Sequence, residues 1–150
     1  MMRSTEPSPA WILFVLRGAG IYNLVWGTAA ILAPRFMLAA LGITTDAVGL
    51  AFWQCLGMVI GVYGIGYWIA ARDPAGQWPI VLVGLLGKVL GPIGFVWTAA
   101  QGTLPFRMGW TLLTNDLMWW IPFALILRHA MRGAPGCSPR AGLEVARSMP

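Results

Sequence analysis

The sequence predicts an all-α fold: a bundle of four transmembrane helices, with a short interfacial helix between the first and second. Three observations lead there. Of 150 residues, 58% are hydrophobic and only 10% are charged, whereas soluble domains carry about 25% charged residues. A chain this short has too little interior to hide that much apolar surface, so lipid is the remaining solvent. The apolar residues also fall into four runs of about 20–25 residues, the length at which a helix crosses a bilayer.

The first run is Pro9–Ala33. Arg17 interrupts it, and it is longer than the apolar core of a cleaved signal peptide, so it is read as a membrane helix. The segment "PRFMLAALGITTD", residues 34–46, places Phe36, Met37, Leu38 and Leu41 as a short helix would on a membrane surface. The second run, Ala47–Ala71, ends at the tight turn "RDPAGQ", and the third, Trp78–Ala100, ends at "QGTLP". The fourth is Pro105–Leu127. Residues 1–132 are thus expected to form one transmembrane domain. Residues 133–150, rich in Pro, Gly and Ser, are expected to form a flexible cytoplasmic tail.

The net charge of +5 is explained by orientation rather than by nucleic acid, which is not expected as a partner. With the N-terminus in the cytoplasm, Arg3, Arg72, Arg128, Arg132, Arg140 and Arg147 lie inside, and only Arg35 and Arg107 lie outside. That asymmetry predicts a multi-pass inner-membrane protein with both termini cytoplasmic. Trp11, Trp78 and Trp110 near helix ends fit an interfacial aromatic belt. Cys55 and Cys137 form no CxxC pair, and His129 stands alone between Arg128 and Arg132, so no metal site or cofactor is expected.

The chemistry concentrates where the third and fourth runs carry polar groups. Lys88 lies ten residues beyond Trp78, roughly 15 Å along a helix and near the middle of the bilayer. Asn115 and Asp116 lie ten and eleven residues beyond Pro105, and so reach the same depth from the other side. Ionisable residues within the membrane are rare and usually paired, so Asp116 is the expected partner of Lys88. Pro92 has no N–H and leaves the carbonyl of Lys88 free to accept. Gln54 shares its helix face with Gly57, Met58 and Gly61, the two glycines forming a G-x-x-x-G pair; Asn23 shares its face with Ala19, Gly20, Trp26, Gly27 and Ala30, and Lys88 with Val81, Gly84, Leu85, Gly91, Pro92 and Phe95. Each helix thus directs a polar group along its small-residue side, where neighbouring backbones approach closely. Asn23 and Gln54 are read first as groups that set helix register. Trp119 and Trp120, with Phe123, are read first as packing residues, with the wall of a pocket for a flat apolar ligand as the alternative.

At "RDPAGQWPIVLVGLLGKVLGPIGF" and "NDLMWWIPF" the chain resembles a group of small bacterial integral membrane proteins with four helices, similar to DoxX-like proteins. The resemblance runs from Gly20 to Arg128. It implies a four-helix bundle of a kind sometimes attached to quinone-linked respiratory enzymes. It carries over no quinone or thiosulfate site onto these residues.

Function is expected to follow from the mid-membrane polar cluster. The first reading is a non-enzymatic accessory subunit or hydrophobic-ligand-binding module. Its ligand residues would be Lys88, Asp116, Asn115, Asn23, Gln54, Trp119 and Trp120, and its partners the bilayer, a membrane complex or homo-oligomer, and a lipid or quinone. One alternative is a proton-coupled transporter working as an oligomer, with Asp116 titrating against Lys88. Another is a membrane enzyme acting on a lipid, quinone or isoprenoid. There Asp116, with Lys88 beside it, would be the catalytic acid or base.

Overall fold

Among the described residues, four helices are long and apolar enough to cross a membrane. The structure, a computed structural model, describes residues 8–133. The expected tail from residue 134 onward lies outside the described residues, as do Arg3, Cys137, Arg140 and Arg147.

Helix α1 spans Ala10–Leu32 and is stopped at Ala33 and Pro34, where α2, Pro34–Ala40, turns away. Gly42, at φ 75°, ends α2 in a left-handed turn closed by the Ile43 N–H on the Leu38 carbonyl at 2.9 Å. Helix α3, Ala47–Ala70, starts at Asp46, whose carboxylate accepts from the Gly49 N–H at 2.8 Å. In the following turn the Asp73 carboxylate accepts from the Gly76 N–H at 2.9 Å. Helix α4, Trp78–Ala100, remains helical through Pro92 and ends near Gly102, at φ 73°.

The fourth span, Phe106–Met131, is not one regular helix. It opens with a 3₁₀ turn, Phe106–Met108, and a four-residue α5, Gly109–Leu112. A π-helical segment, Leu113–Leu117, follows, and then α6, Met118–Gly133. Neither midspan proline interrupts its helix. Pro92 lies within a continuous helix and Pro122 within α6, while the ladder changes pitch at the residues that carry Asn115 and Asp116.

Two tight helix pairs make up the bundle. Helices α1 and α3 pack most extensively, and α4 packs mainly on α6 and the π-helical segment. Glycine makes the first pair close. A Cβ at Gly27 would stand 2.5 Å from the Gly57 carbonyl oxygen, and one at Gly57 would stand 2.8 Å from the Ala30 Cβ. A Cβ at Gly61, the other half of the expected glycine pair, would meet nothing within 4 Å. Gly61 instead offers its backbone to Gly27, so the missing side chain matters on α1 and not at Gly61.

The buried core is divided accordingly. Ile12, Leu16, Tyr67, Val81, Phe123 and Ile126 pack at one end, and Ala30, Leu38 and Trp53 at the other. Outward-facing Phe14, Phe52, Leu90, Val96, Trp97 and Ile121 are exposed. So much contiguous apolar surface is costly in water and suits contact with lipid.

Candidate functional site in the seam between the helix pairs

Lys88 and Asp116 are 4% and 7% exposed, and both line a cavity of about 480 Å³ in the seam between the two helix pairs. The lysine spends its charge first on backbone. Its ammonium donates to the Asn115 carbonyl at 2.5 Å. The Asp116 carboxylate accepts instead from the Asn115 side-chain amide at 3.1 Å. Asn115 thus stands between the two charges expected to pair directly, one on its carbonyl and the other on its amide.

The reason is the π-helical segment. Widening a helix to i→i+5 bonding disturbs the regular acceptor ladder, and side chains then serve the segment's carbonyls. Lys88 bonds that of Asn115, and the Trp119 indole N–H bonds that of Thr114 at 3.1 Å. The opposite helix has a matching defect. Pro92 cannot donate to the Lys88 carbonyl, and the Trp120 indole N–H does so at 2.9 Å. The two helices therefore complete each other: Lys88 reaches from α4 to the fourth span, and Trp120 reaches back. In hydrocarbon, where water cannot substitute, such reciprocal satisfaction holds the pair together. The Lys88 ammonium also lies 5.9 Å from the centre of the Trp119 ring, within range of a cation–π attraction.

The expected ligand residues divide into two groups. Asn23, Lys88, Asn115 and Asp116 come together on the cavity wall. Gln54, Trp119 and Trp120 lie off it. The Gln54 amide donates at 2.9 Å to the carbonyl of Ile31, in the last turn of α1 before Pro34. Trp119 is buried against Tyr22 and Phe123, at ring separations of 6.1 Å each.

Helix-face spacing put Trp26 beside Asn23 and Phe95 beside Lys88, and passed over Trp53, Tyr63 and Tyr67. Trp26 and Trp53, with ring centres 5.5 Å apart, line the cavity with Tyr63, Tyr67 and Phe95. Tyr63 and Tyr67 are spaced i, i+4 on α3, a signal that marks one helix face but not what that face meets. Three buried polar atoms of residues lining this space have no hydrogen-bond partner among the described residues: Asn23 Oδ1, Asn115 Oδ1 and Trp53 Nε1. Among the described residues no group of three or more His, Cys, Asp or Glu is placed to hold a metal ion.

Compared with family models, curated proteins and solved structures, the chain matches none.

Proposed function

We propose that this chain is a non-enzymatic membrane module, an accessory subunit or ligand-binding protein, which holds a hydrophobic small molecule in the seam between its two helix pairs. One observation carries the reading. An apolar cavity of about 480 Å³, within the roughly 300–1,000 Å³ usual for small-molecule sites, has Asn23, Lys88, Asn115 and Asp116 together on its wall. A few convergent polar groups on an otherwise apolar wall are what orient a bound small molecule. Lys88 and Trp120, which clasp α4 to the fourth span, preorganise the wall. The Lys and Arg pattern and the DoxX-like resemblance support a location in a bacterial inner membrane with both termini cytoplasmic.

The test is purification from native membranes in mild detergent, followed by solvent extraction and mass spectrometry. A stoichiometric hydrophobic small molecule is expected, and it should be lost when Gly87→Leu occludes the cavity. Preparations that carry only bulk lipid, equally in both forms, would overturn the reading.

The π-helical break at Asp116 favours a second reading, since interrupted helices at mid-membrane often mark transport sites. In that case the protein in liposomes would move protons, and Asp116→Asn would abolish the flux. Liposomes that stay proton-tight at every imposed gradient would dismiss it.

A further inference from the structure

The cavity has a shape that limits what fits it. Its wall runs from Gly84 to Thr98 on α4 and from Tyr67 to Trp53 on α3, fourteen residues along each helix. That is roughly 21 Å of helix, so the cavity is a slot lying along the bundle. A volume of about 480 Å³ spread over that length leaves a mean cross-section of roughly 23 Å², the width of one extended hydrocarbon chain. Two such chains side by side or a flat fused-ring skeleton is too wide. So is a helix of another protein, about 10–12 Å across.

Glycines keep the slot open. Gly84, Gly87, Gly91 and Gly94 share one face of α4 and all line the cavity. Glycine weakens a helix, and three of these four gain it no close helix contact. A Cβ at Gly87 or Gly94 would meet nothing within 4 Å, and at Gly91 it would meet only Asp116 Oδ2, at 3.8 Å. At Gly84 a Cβ would stand 2.5 Å from the Tyr67 hydroxyl oxygen, so Tyr67 fills that gap and closes the slot at its inner end. Gly87, Gly91 and Gly94 are exposed, as are Leu56 and Val59 on α3, so one long side of the slot opens to lipid. A membrane-dissolved molecule can enter there without crossing water.

Polarity is divided along the slot. Lys88 and Asp116 lie deep in it, with Tyr67 beyond them. From Lys88 to Thr98, ten residues or roughly 15 Å of helix, the wall is mainly Trp26, Trp53, Phe95, Leu104 and Met108. Resting on the reading of the seam as a ligand site, we infer that the slot takes a single-chain lipid with a compact polar head, seated head-first. The head lies beside Lys88 and Asp116, and the hydrocarbon runs toward Leu104 and Met108, at the end of the bundle away from the termini. This is the reverse of a bilayer lipid, whose head stays at the interface. A methyl end against Lys88 and Asp116 would give them no partner. A polar head meets the ammonium's remaining N–H groups and the carboxylate that faces Gly91.

Two photoactivatable dodecanamides test the seating, one with its diazirine at the end of the hydrocarbon and one with it beside the amide. Each is photolysed with the full-length protein in lipid nanodiscs, and labelled peptides are mapped by mass spectrometry with and without excess unlabelled dodecanamide. Labelling removed by the competitor is expected around Leu104 and Met108 for the first probe, and around Asn23, Tyr63 and Tyr67 for the second. Cholesterol and diacylglycerol in the same excess should displace little of it. Gly94→Leu, which puts a side chain into the apolar half of the slot, should lower displaceable labelling by about tenfold. If that variant fails to fold, the two maps decide alone. A reversed map, displacement by cholesterol or diacylglycerol as complete as by dodecanamide, or undiminished labelling of a folded Gly94→Leu protein overturns the head-first single chain and leaves a hydrophobic site standing. Labelling that no competitor removes, spread over outward faces such as those of Phe14 and Ile121, overturns both.

Discussion

Lys88 shows how a cationic side chain is kept in the middle of a hydrophobic helix. Its ammonium has a backbone carbonyl, an aromatic face and a carboxylate on the same cavity wall. Lys88→Met removes the donor to the Asn115 carbonyl and leaves Asp116 without its counter-charge. A buried acceptor left unpaired costs about 1–3 kcal/mol, and the orphaned carboxylate adds to that. Thermal unfolding in detergent should therefore show a clear loss for Lys88→Met and a loss for Asp116→Leu. The double variant should recover only part, because the Asn115 carbonyl stays unpaired. Full recovery would mean that charge pairing alone holds the two spans together. Strictly additive losses would mean that Lys88 and Asp116 do not sense each other.

Among the elements, the fourth span and α4 each carry one irregularity, and each repairs the other's. Trp120→Phe removes the donor to the Lys88 carbonyl and should cost about 0.5–1.5 kcal/mol. In a Pro92→Ala background the helix supplies its own N–H to that carbonyl. The same Trp120→Phe change should then cost little. Equal costs in both backgrounds, measured by thermal unfolding, would separate Trp120 from the proline defect. Helices α1 and α3 give a second element-scale test. Gly57→Ala places a methyl against Ala30 and the Gly27 carbonyl and should cost about 1–3 kcal/mol, as overpacking does. Gly61→Ala, four residues on, should be neutral within about 0.5 kcal/mol. Similar melting temperatures for the two variants would mean that the α1–α3 contact lies elsewhere.

For the whole molecule, four candidate spans place the two ends of the described chain on the same side of a membrane. The distribution of Lys and Arg favours the cytoplasm for both. A reporter active only in the periplasm should be silent when fused after Pro150 and active when inserted near Thr103. The reverse pattern would invert the orientation. It would leave the bundle untouched, because helix packing does not depend on which way the bundle faces.

The sequence by itself determined the all-α fold and the four spans. Those follow from run length and composition, and lipid leaves few other ways to satisfy a backbone. Residue counts along a helix also set the expected common height of Lys88, Asn115 and Asp116, and the three do share one cavity wall. The acceptor freed by Pro92 was legible too, because a proline has no N–H in any fold. What the Lys88 ammonium bonds was not. The π-helical pitch of Leu113–Leu117 turns the Asn115 carbonyl toward α4, and no residue type signals that pitch. The departure of Gln54, Trp119 and Trp120 from the cavity wall likewise depended on helix rotation, which packing sets. Only the tertiary structure decided that Trp26, Trp53, Tyr63 and Tyr67 face a common space. A cavity is the gap left between helix pairs that pack more tightly within themselves than with each other, and no single helix encodes it.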